Sequence, residues 1–299
     1  MSNDVKIALV TDSCIDLPEE YYDYDFVKVV PLNITFPDGS TVQDGVDMTI
    51  KQFHKKVDES EDLPVTSQPS PEQFLAVYNE FLKDYDYIIS LHLSSELSGT
   101  YNSAQLARQM IDDQDKRVRI KVIDTKFASL LEGFVYTEAL NAIKDNKSLE
   151  DILEIIDRKC KTMTTVFMAD TLDNLKKGGR VSHLSALLGG FLKVKPVMEL
   201  GFKTDGKIEA LSKVRGRKKA ISETINIVKE RAKDVENQKI GMMHSIVDNE
   251  EAIKEVIEKI KTELNPKEIF VSNIGATIGT HTGKGAIGIV FEEEAVNAD

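Results

Sequence analysis

Leu91-His92-Leu93-Ser94-Ser95-Glu96-Leu97-Ser98-Gly99-Thr100-Tyr101-Asn102-Ser103-Ala104 begins at the end of an apolar run, Tyr87 to Leu91, and passes through a polar loop into a helical pattern. A buried strand handing over to a helix is half of a strand-helix-strand unit, and such units build parallel sheets covered on both faces. Outward from this stretch, Val5 to Thr11, Val27 to Phe36 and Val118 to Ile123 are further runs rich in Val and Ile. Between them Phe74, Tyr78, Phe81 and Leu82 make one stripe of a helix over Glu72 to Lys83, and Leu149, Ile152, Leu153, Ile156, Cys160 and Met163 repeat at the same spacing. The first half is therefore expected to be a three-layer α/β/α domain with a mainly parallel sheet.

The second half reads differently. Val194 to Phe202 and Lys207 to Lys213 flank Lys203-Thr204-Asp205-Gly206, whose Asp-Gly suits the positive dihedrals of a hairpin turn. Two amphipathic helices, Arg217 to Asp234 and Asn249 to Leu264, and strands at Lys239 to His244, Glu268 to Ser272 and Ile287 to Glu292 complete it. An antiparallel sheet with helices on one face, in a two-layer domain, is the simplest layout. The chain is thus expected to be an α/β protein of two domains, 1–160 and 161–299, the boundary falling between Asn146 and Met163 without a Pro-, Gly- or Ser-rich linker to mark it. A length of 299 residues with 41% hydrophobic content suffices for two cores.

The net charge of −12, from 50 acids against 38 bases, opposes bulk attraction to nucleic acid and allows at most transient contact with an anionic membrane. Any anionic ligand must be met by local donors. No apolar run approaches the roughly 20 residues that cross a bilayer, and the start, MSNDVKIALVTDS, lacks the basic, apolar and cleavage regions of a secretory signal. With only Cys14 and Cys160, a reducing, cytoplasmic location is expected.

Four polar stretches could hold a ligand. In Leu91–Ala104, free N–H groups at the helix start and the hydroxyls of Ser94, Ser95 and Thr100 could grip a carboxylate or phosphate; equally they could only cap the helix. In Thr66-Ser67-Gln68-Pro69-Ser70-Pro71, read as a loop, Ser70 is the N-cap, Pro71 the first helical residue and Gln73 the capping partner, which leaves Thr66 and Ser67 without a structural task. Asp12 and Asp16, after the first strand, are too few for a Mg or Ca site and read as a turn former and a cap, so no metal is expected. Gly279-Thr280-His281-Thr282-Gly283-Lys284-Gly285-Ala286 is read as a Gly-rich turn between strands, in which His281 either donates to a carboxylate or bonds locally. Two basic stretches, Lys176 to Arg180 and Lys213 to Lys219, are either solvated faces or a docking surface for a partner or for phosphates.

Other chemistries lack their supports. Gly201 to Ile208 has the Gly spacing and Lys of a phosphate-binding loop, but ends in Ile and lies in the hairpin with no helix after it. There is no G-x-S-x-G, H-E-x-x-H or C-x-x-C, and His54, His92, His183, His244 and His281 are scattered.

In order along the chain, Val10-Thr11-Asp12-Ser13, Thr66-Ser67-Gln68-Pro69-Ser70, Ser94-Ser95 with Leu97-Ser98-Gly99-Thr100-Tyr101, Val122-Ile123-Asp124-Thr125, Lys177-Gly178-Gly179-Arg180, Lys195-Pro196, Gly206-Lys207 and Gly279-Thr280-His281-Thr282-Gly283 resemble the motif series of the bacterial DegV family. The resemblance implies a lipid buried between two domains. Members act as FakB-like subunits of bacterial fatty acid kinase: they bind a long-chain fatty acid, and a separate catalytic subunit phosphorylates its carboxylate with ATP to an acyl phosphate for phospholipid synthesis. By resemblance the carboxylate is held by Thr66, Ser95 and His281, with Ser67, Ser94 and Thr282 as further candidates, and Arg180 and Arg215 face the kinase. Hydroxyls and an imidazole would then meet the head without a permanent cation. The chain itself would be no enzyme and would need no cofactor. Two other readings remain: an acyl hydrolase using Ser95 with His281, and a module binding a small anion without a lipid tail. One departure stands out, Lys284-Gly285 where the family pattern has Pro-Gly.

Overall fold

The computed structural model describes residues 5–181, 194–246 and 248–294; of the residues singled out above, His183 lies outside them. Side chains along β1 (Ile7–Asp12) alternate between two covered faces. The strand turns through a 3-10 segment, Ser13–Ile15, where Asp12 Oδ1 accepts from Cys14 N at 3.0 Å. Together with β2 (Val27–Val30), β6 (Tyr87–His92) and β7 (Ile120–Asp124) it forms a sheet in the order β2-β1-β6-β7, every pairing parallel. Ala8 and Val10 pack under α2 (Pro71–Phe81) and α3 (Thr100–Gln109), while Ile7 and Leu9 pack on α5 (Leu130–Lys144) and α6 (Leu149–Cys160). A short α4 (Gln114–Val118) leads into β7. This is the expected three-layer arrangement.

The single strand expected over Val27 to Phe36 is two strands in two sheets. Pro31 has no N–H to give a ladder and falls between them. Beyond it β3 (Asn33–Thr35) pairs antiparallel with β4 (Thr41–Gln43) and β5 (Val65–Ser67). Thr66 and Ser67, expected in a loop, are on β5, with Thr66 opposite Ile34. Helix α1 (Ile50–Glu59) lies between β4 and β5 in the chain and starts from a Thr49–Gln52 capping box. Helix α2 starts as its sequence indicates, Gln73 Oε1 accepting from Ser70 N at 2.9 Å ahead of Pro71.

Met163, expected on the stripe of the preceding helix, instead opens β8 (Met163–Met168). The helix stops at Cys160, and the run Thr164-Thr165-Val166 is β-branched, which favours a strand. With β9 (Val194–Gly201), β10 (Glu209–Arg215), β11 (Lys239–His244), β12 (Glu268–Asn273) and β13 (Ile287–Glu292) it forms a sheet in the order β10-β9-β8-β13-β11-β12. All its pairings are antiparallel except β11 with β12. The β9–β10 turn has Asp205 at φ 49° and Gly206 at φ 81°, as its Asp-Gly requires. Gly206 also has a steric role: a Cβ there would lie 2.3 Å from Ser94 Oγ.

Alternation gives this sheet two apolar faces. Val166, Met168, Ile240, Met242, Ile287 and Ile289 pack under α8 (Arg217–Arg231) and α9 (Glu250–Leu264). Phe167, Met198, Leu200, Met243 and Val290 belong instead to the core that contains α5. Helix α5 thus touches both large sheets. A short α7 (Asp173–Lys177) follows β8.

The Gly-rich stretch around His281 is not a turn between strands, because its first part is a helix, α10 (Ala276–Thr282). Gly and Thr are poor helix formers, so packing decides here: Ala276, Thr277, Gly279, Thr280 and Thr282 are all buried, against α1, β3, β5 and α7. The hydroxyls of Thr280 and Thr282 donate back to Ala276 O and Ile278 O at 2.9 and 3.1 Å, and Gly283, at φ 75°, ends the helix. Among the described residues no helix is long and apolar enough to cross a membrane. Both cysteines are free thiols.

Candidate functional site

Against the inner face of the six-stranded sheet, beneath the segments that follow the parallel strands, lies a channel whose exposed wall is mostly apolar. Phe167, Leu200 and Met243 come from the six-stranded sheet, Leu93 and Leu97 from the stretch after β6, and Ile274 and Ile278 from the approach to α10 and from that helix. Ala128 and Ser129, just before α5, complete one side. With the side chains as they stand the free volume is about 70 Å3, small beside the few hundred Å3 of a lipid-sized site. A long hydrocarbon would fit there only if wall side chains moved.

Of the polar wall residues, Thr66 and Arg180 lie close to His281. Thr66 Oγ1 and His281 Nε2 are 2.8 Å apart, joining β5 to α10 across 215 positions of sequence. Burial, and then the charge of Arg180, hold the His281 pKa down to about 4, so the imidazole is neutral at pH 7. A neutral ring has one N–H. When Nε2 carries it and donates to Thr66, the Thr66 hydroxyl proton is left to meet an anion in the channel. Arg180 borders the same space, half-buried, its Nε donating to Leu97 O at 3.0 Å and its Nη1 to Gly178 O. Burial lowers its pKa from the ordinary value, yet an arginine stays charged. The mouth therefore does contain a permanent cation, contrary to the sequence expectation, and an anion placed there gains a charge-assisted partner. Ser98 and Thr282 also line the channel, and Ser98 Oγ lies 2.9 Å from Thr100 Oγ1.

The other expected residues are placed apart from this mouth. Ser95 is outside the channel wall, its N and Oγ both donating to Asp124. It borders instead a polar groove next to the channel. Ser94 is buried and occupied, donating to Gly206 O at 2.8 Å and so tying the loop after β6 to the β9–β10 turn. Ser67 is exposed on β5, and Arg215 is exposed at the end of β10. Lys284 turns outward to an ion pair with Asp58. Asp12 is bound to His92, 3.1 Å from Nδ1, and Asp16 accepts from Ser129 Oγ. Ser95 and His281 share no hydrogen bond, which leaves the hydrolase reading without its nucleophile–base pair.

The family model described as uncharacterised protein, DegV family, matches residues 6–294. The chain belongs to the DegV family. A DegV domain-containing protein of Caldanaerobacter subterraneus subsp. tengcongensis is 37% identical over 289 residues, covering 97% of this chain and 99% of that one. Protein DegV of Bacillus subtilis is 35% identical over 288 residues, covering 96% and 99%. Among solved structures, a DegV family protein from Thermus thermophilus, described by its fatty acid binding, superposes with a TM-score of 0.86 at 35% identity over 97% of this chain and 100% of that one. A stearic acid-binding protein from Eubacterium ventriosum has a TM-score of 0.86 at 26% identity, over 96% and 98%. The mixed α/β architecture of parallel and antiparallel-rich sheets is that of the DegV fold.

In this DegV-family chain the sequence pointed to Thr66, His281 and Thr282 as ligand residues, and these line the channel, as does Arg180, which the resemblance had turned toward a kinase. It did not single out Ser98 as a wall residue, although Ser98 lay inside a quoted motif. Nor did it find the apolar wall, because Phe167, Leu200 and Met243 read as ordinary strand residues.

Proposed function

We propose that this protein binds a long-chain fatty acid in the channel and presents its carboxylate, at the Thr66–His281 mouth, to a separate ATP-dependent kinase subunit that converts it to an acyl phosphate. The observation that carries the reading is a half-buried hydroxyl–imidazole pair with an arginine beside it, in the wall of a mostly apolar channel. The relatives described as binding fatty acids, one of them with stearic acid, support it. Each buried methylene contributes about 0.8 kcal/mol, so the tail supplies most of the affinity and the mouth spares the carboxylate an unpaired burial. Such a carrier is no enzyme by itself, and a cytoplasmic location follows from the ATP its partner would use. The division into units 1–160 and 161–299, with the acid between them, belongs to the same proposal. So does the assignment of Arg180 and Arg215 to the side that meets the kinase. Ser95 enters as a residue beside the mouth rather than in it.

Native mass spectrometry of the purified chain, followed by organic extraction, tests the binding. One equivalent of a C14–C18 acid is expected, and Thr66→Val or His281→Gln should lower its retention about tenfold. A clean apo mass after gentle handling, unchanged on adding palmitate, would sink the reading. Arg215→Ala should leave retention intact and slow phosphate transfer from the kinase subunit; unchanged transfer would remove Arg215 from the docking side.

A further inference from the structure

The polar groove beside the mouth shares four wall residues with the channel, Leu97, Ser98, Arg180 and Ile208, so the two spaces are contiguous. Its free volume is about 330 Å3, several times that of the channel. Lys207 and the main chain of Gly99 and Gly179 form the rest of its rim with Ser95 and Glu96. Charge is unevenly compensated there. Lys126, behind Ser95, is neutralised by Asp124 and Asp205 at 3.2 and 3.8 Å. Among the described residues Arg180 donates only to carbonyl oxygens and Lys207 makes no ion pair. The single acid of the rim, Glu96, is exposed. Two cations without carboxylate partners among the described residues thus border a roomy polar space that continues an apolar channel.

A monoanionic carboxylate is satisfied by the Thr66–His281 mouth alone and does not call for this second space. A phosphate monoester does: it carries about −1.5 to −2 charges at neutral pH with three strong acceptor oxygens, and an arginine meets two of them at once. We infer that the groove is a phosphoryl pocket, which holds the head of an acyl phosphate against Arg180 and Lys207 while the hydrocarbon stays in the channel. The inference rests on the fatty-acid reading. In the transfer, a carboxylate oxygen attacks the γ-phosphorus of ATP and the bond to the β-bridging oxygen breaks, its electron pair leaving with ADP. The acid's single negative charge becomes two on the product, and no proton is required. The product's head is longer and more negative than the substrate's, and the groove is where both differences are met.

Isothermal titration of the delipidated full-length chain tests this with three probes: palmitate, hexadecyl phosphate as a stable phosphate monoester, and a C16 lysophosphatidic acid. Lys207→Met should weaken hexadecyl phosphate about tenfold and palmitate less than twofold, and Lys207→Arg should restore the phosphate affinity. Lysophosphatidic acid should bind at least about tenfold more weakly than hexadecyl phosphate, because its glycerol separates tail from phosphate. Equal losses for palmitate and hexadecyl phosphate, or no loss for either, would overturn the phosphoryl pocket and leave fatty-acid binding standing. Equal affinity for lysophosphatidic acid would reassign the groove to glycerolipid phosphates and overturn the acyl phosphate. Failure of wild type to bind palmitate and hexadecyl phosphate alike would remove the fatty-acid reading itself.

Discussion

His281 is held by what surrounds it. Its Nε2 faces Thr66, its Nδ1 has no partner among the described residues, and a Cβ placed on Gly178 would lie 2.2 Å from that atom. Gly178→Ala should therefore push the ring off Thr66 and lower fatty-acid retention about tenfold without adding any group to the channel, as competition with a fluorescent fatty acid would show. Retention equal to wild type would mean that the ring position does not matter. Protonation works in the same direction. The folded chain keeps His281 neutral until the pH nears 4, whereas the unfolded chain takes up the proton near 6.5. Between those values the unfolded state binds more protons, so this residue costs stability as the pH falls through the window. His281→Gln should remove that part of the slope in denaturation midpoints measured from pH 7 to pH 4.5. Lys284, by contrast, is spent on an exposed pair with Asp58, and Lys284→Ala should change retention less than twofold.

Helix α5 is the element that both sheets share, and it carries an anomaly. Glu132 is completely buried in its first turn, and neither carboxylate oxygen has a partner among the described residues. Burial, with Asp12, Asp16 and Asp124 adding repulsion, raises its pKa well above the usual carboxylate value. The unfolded chain ionises this group near pH 4.5 and the folded chain does so only at higher pH, so Glu132 destabilises the fold once the pH passes that point. Glu132→Gln is expected to raise the melting temperature at pH 8, by about 2–4 °C for each kcal/mol relieved, and to leave it unchanged at pH 4. A lower melting temperature at pH 8 would show that the ionised carboxylate is stabilised in the fold. The same helix end has Ser129 at φ 58° and ψ −148°, a region almost reserved for glycine, with its hydroxyl on Asp16. Ser129 itself lines the channel.

At the scale of the molecule, the channel lies between one face of the six-stranded sheet and the segments that follow the parallel strands, so its occupant would stabilise both. Binding at a hundredfold excess over Kd is worth about 2.7 kcal/mol, a rise of roughly 5–10 °C in melting temperature for a chain of this size. Palmitate should produce such a shift and octanoate at the same concentration almost none, because eight fewer methylenes remove up to about 6 kcal/mol of burial. Equal shifts for the two acids would place the binding energy in the head and not in the tail.

Sequence alone determined what is local. Runs of Val and Ile separated by amphipathic helices imply the parallel sheet, Asp205-Gly206 implies the hairpin, and the ordered motifs with Thr66, Arg180 and His281 point to the residues that now line one channel. It failed where a local signal was weak or overruled. Pro31 divides one apolar run between two sheets, Thr66 belongs to a strand of three residues, and His281 sits in a helix of Gly and Thr that exists because it is buried. Periodicity says which side of an element is apolar; it does not say that one such side, meeting segments from elsewhere in the chain, leaves a gap. Nor does a hydroxyl in a sequence declare its partner: Ser94 is taken by Gly206 and Ser95 by Asp124, while Thr66 meets an imidazole from the far end of the chain. Those pairings depend on distances that only the packed fold sets.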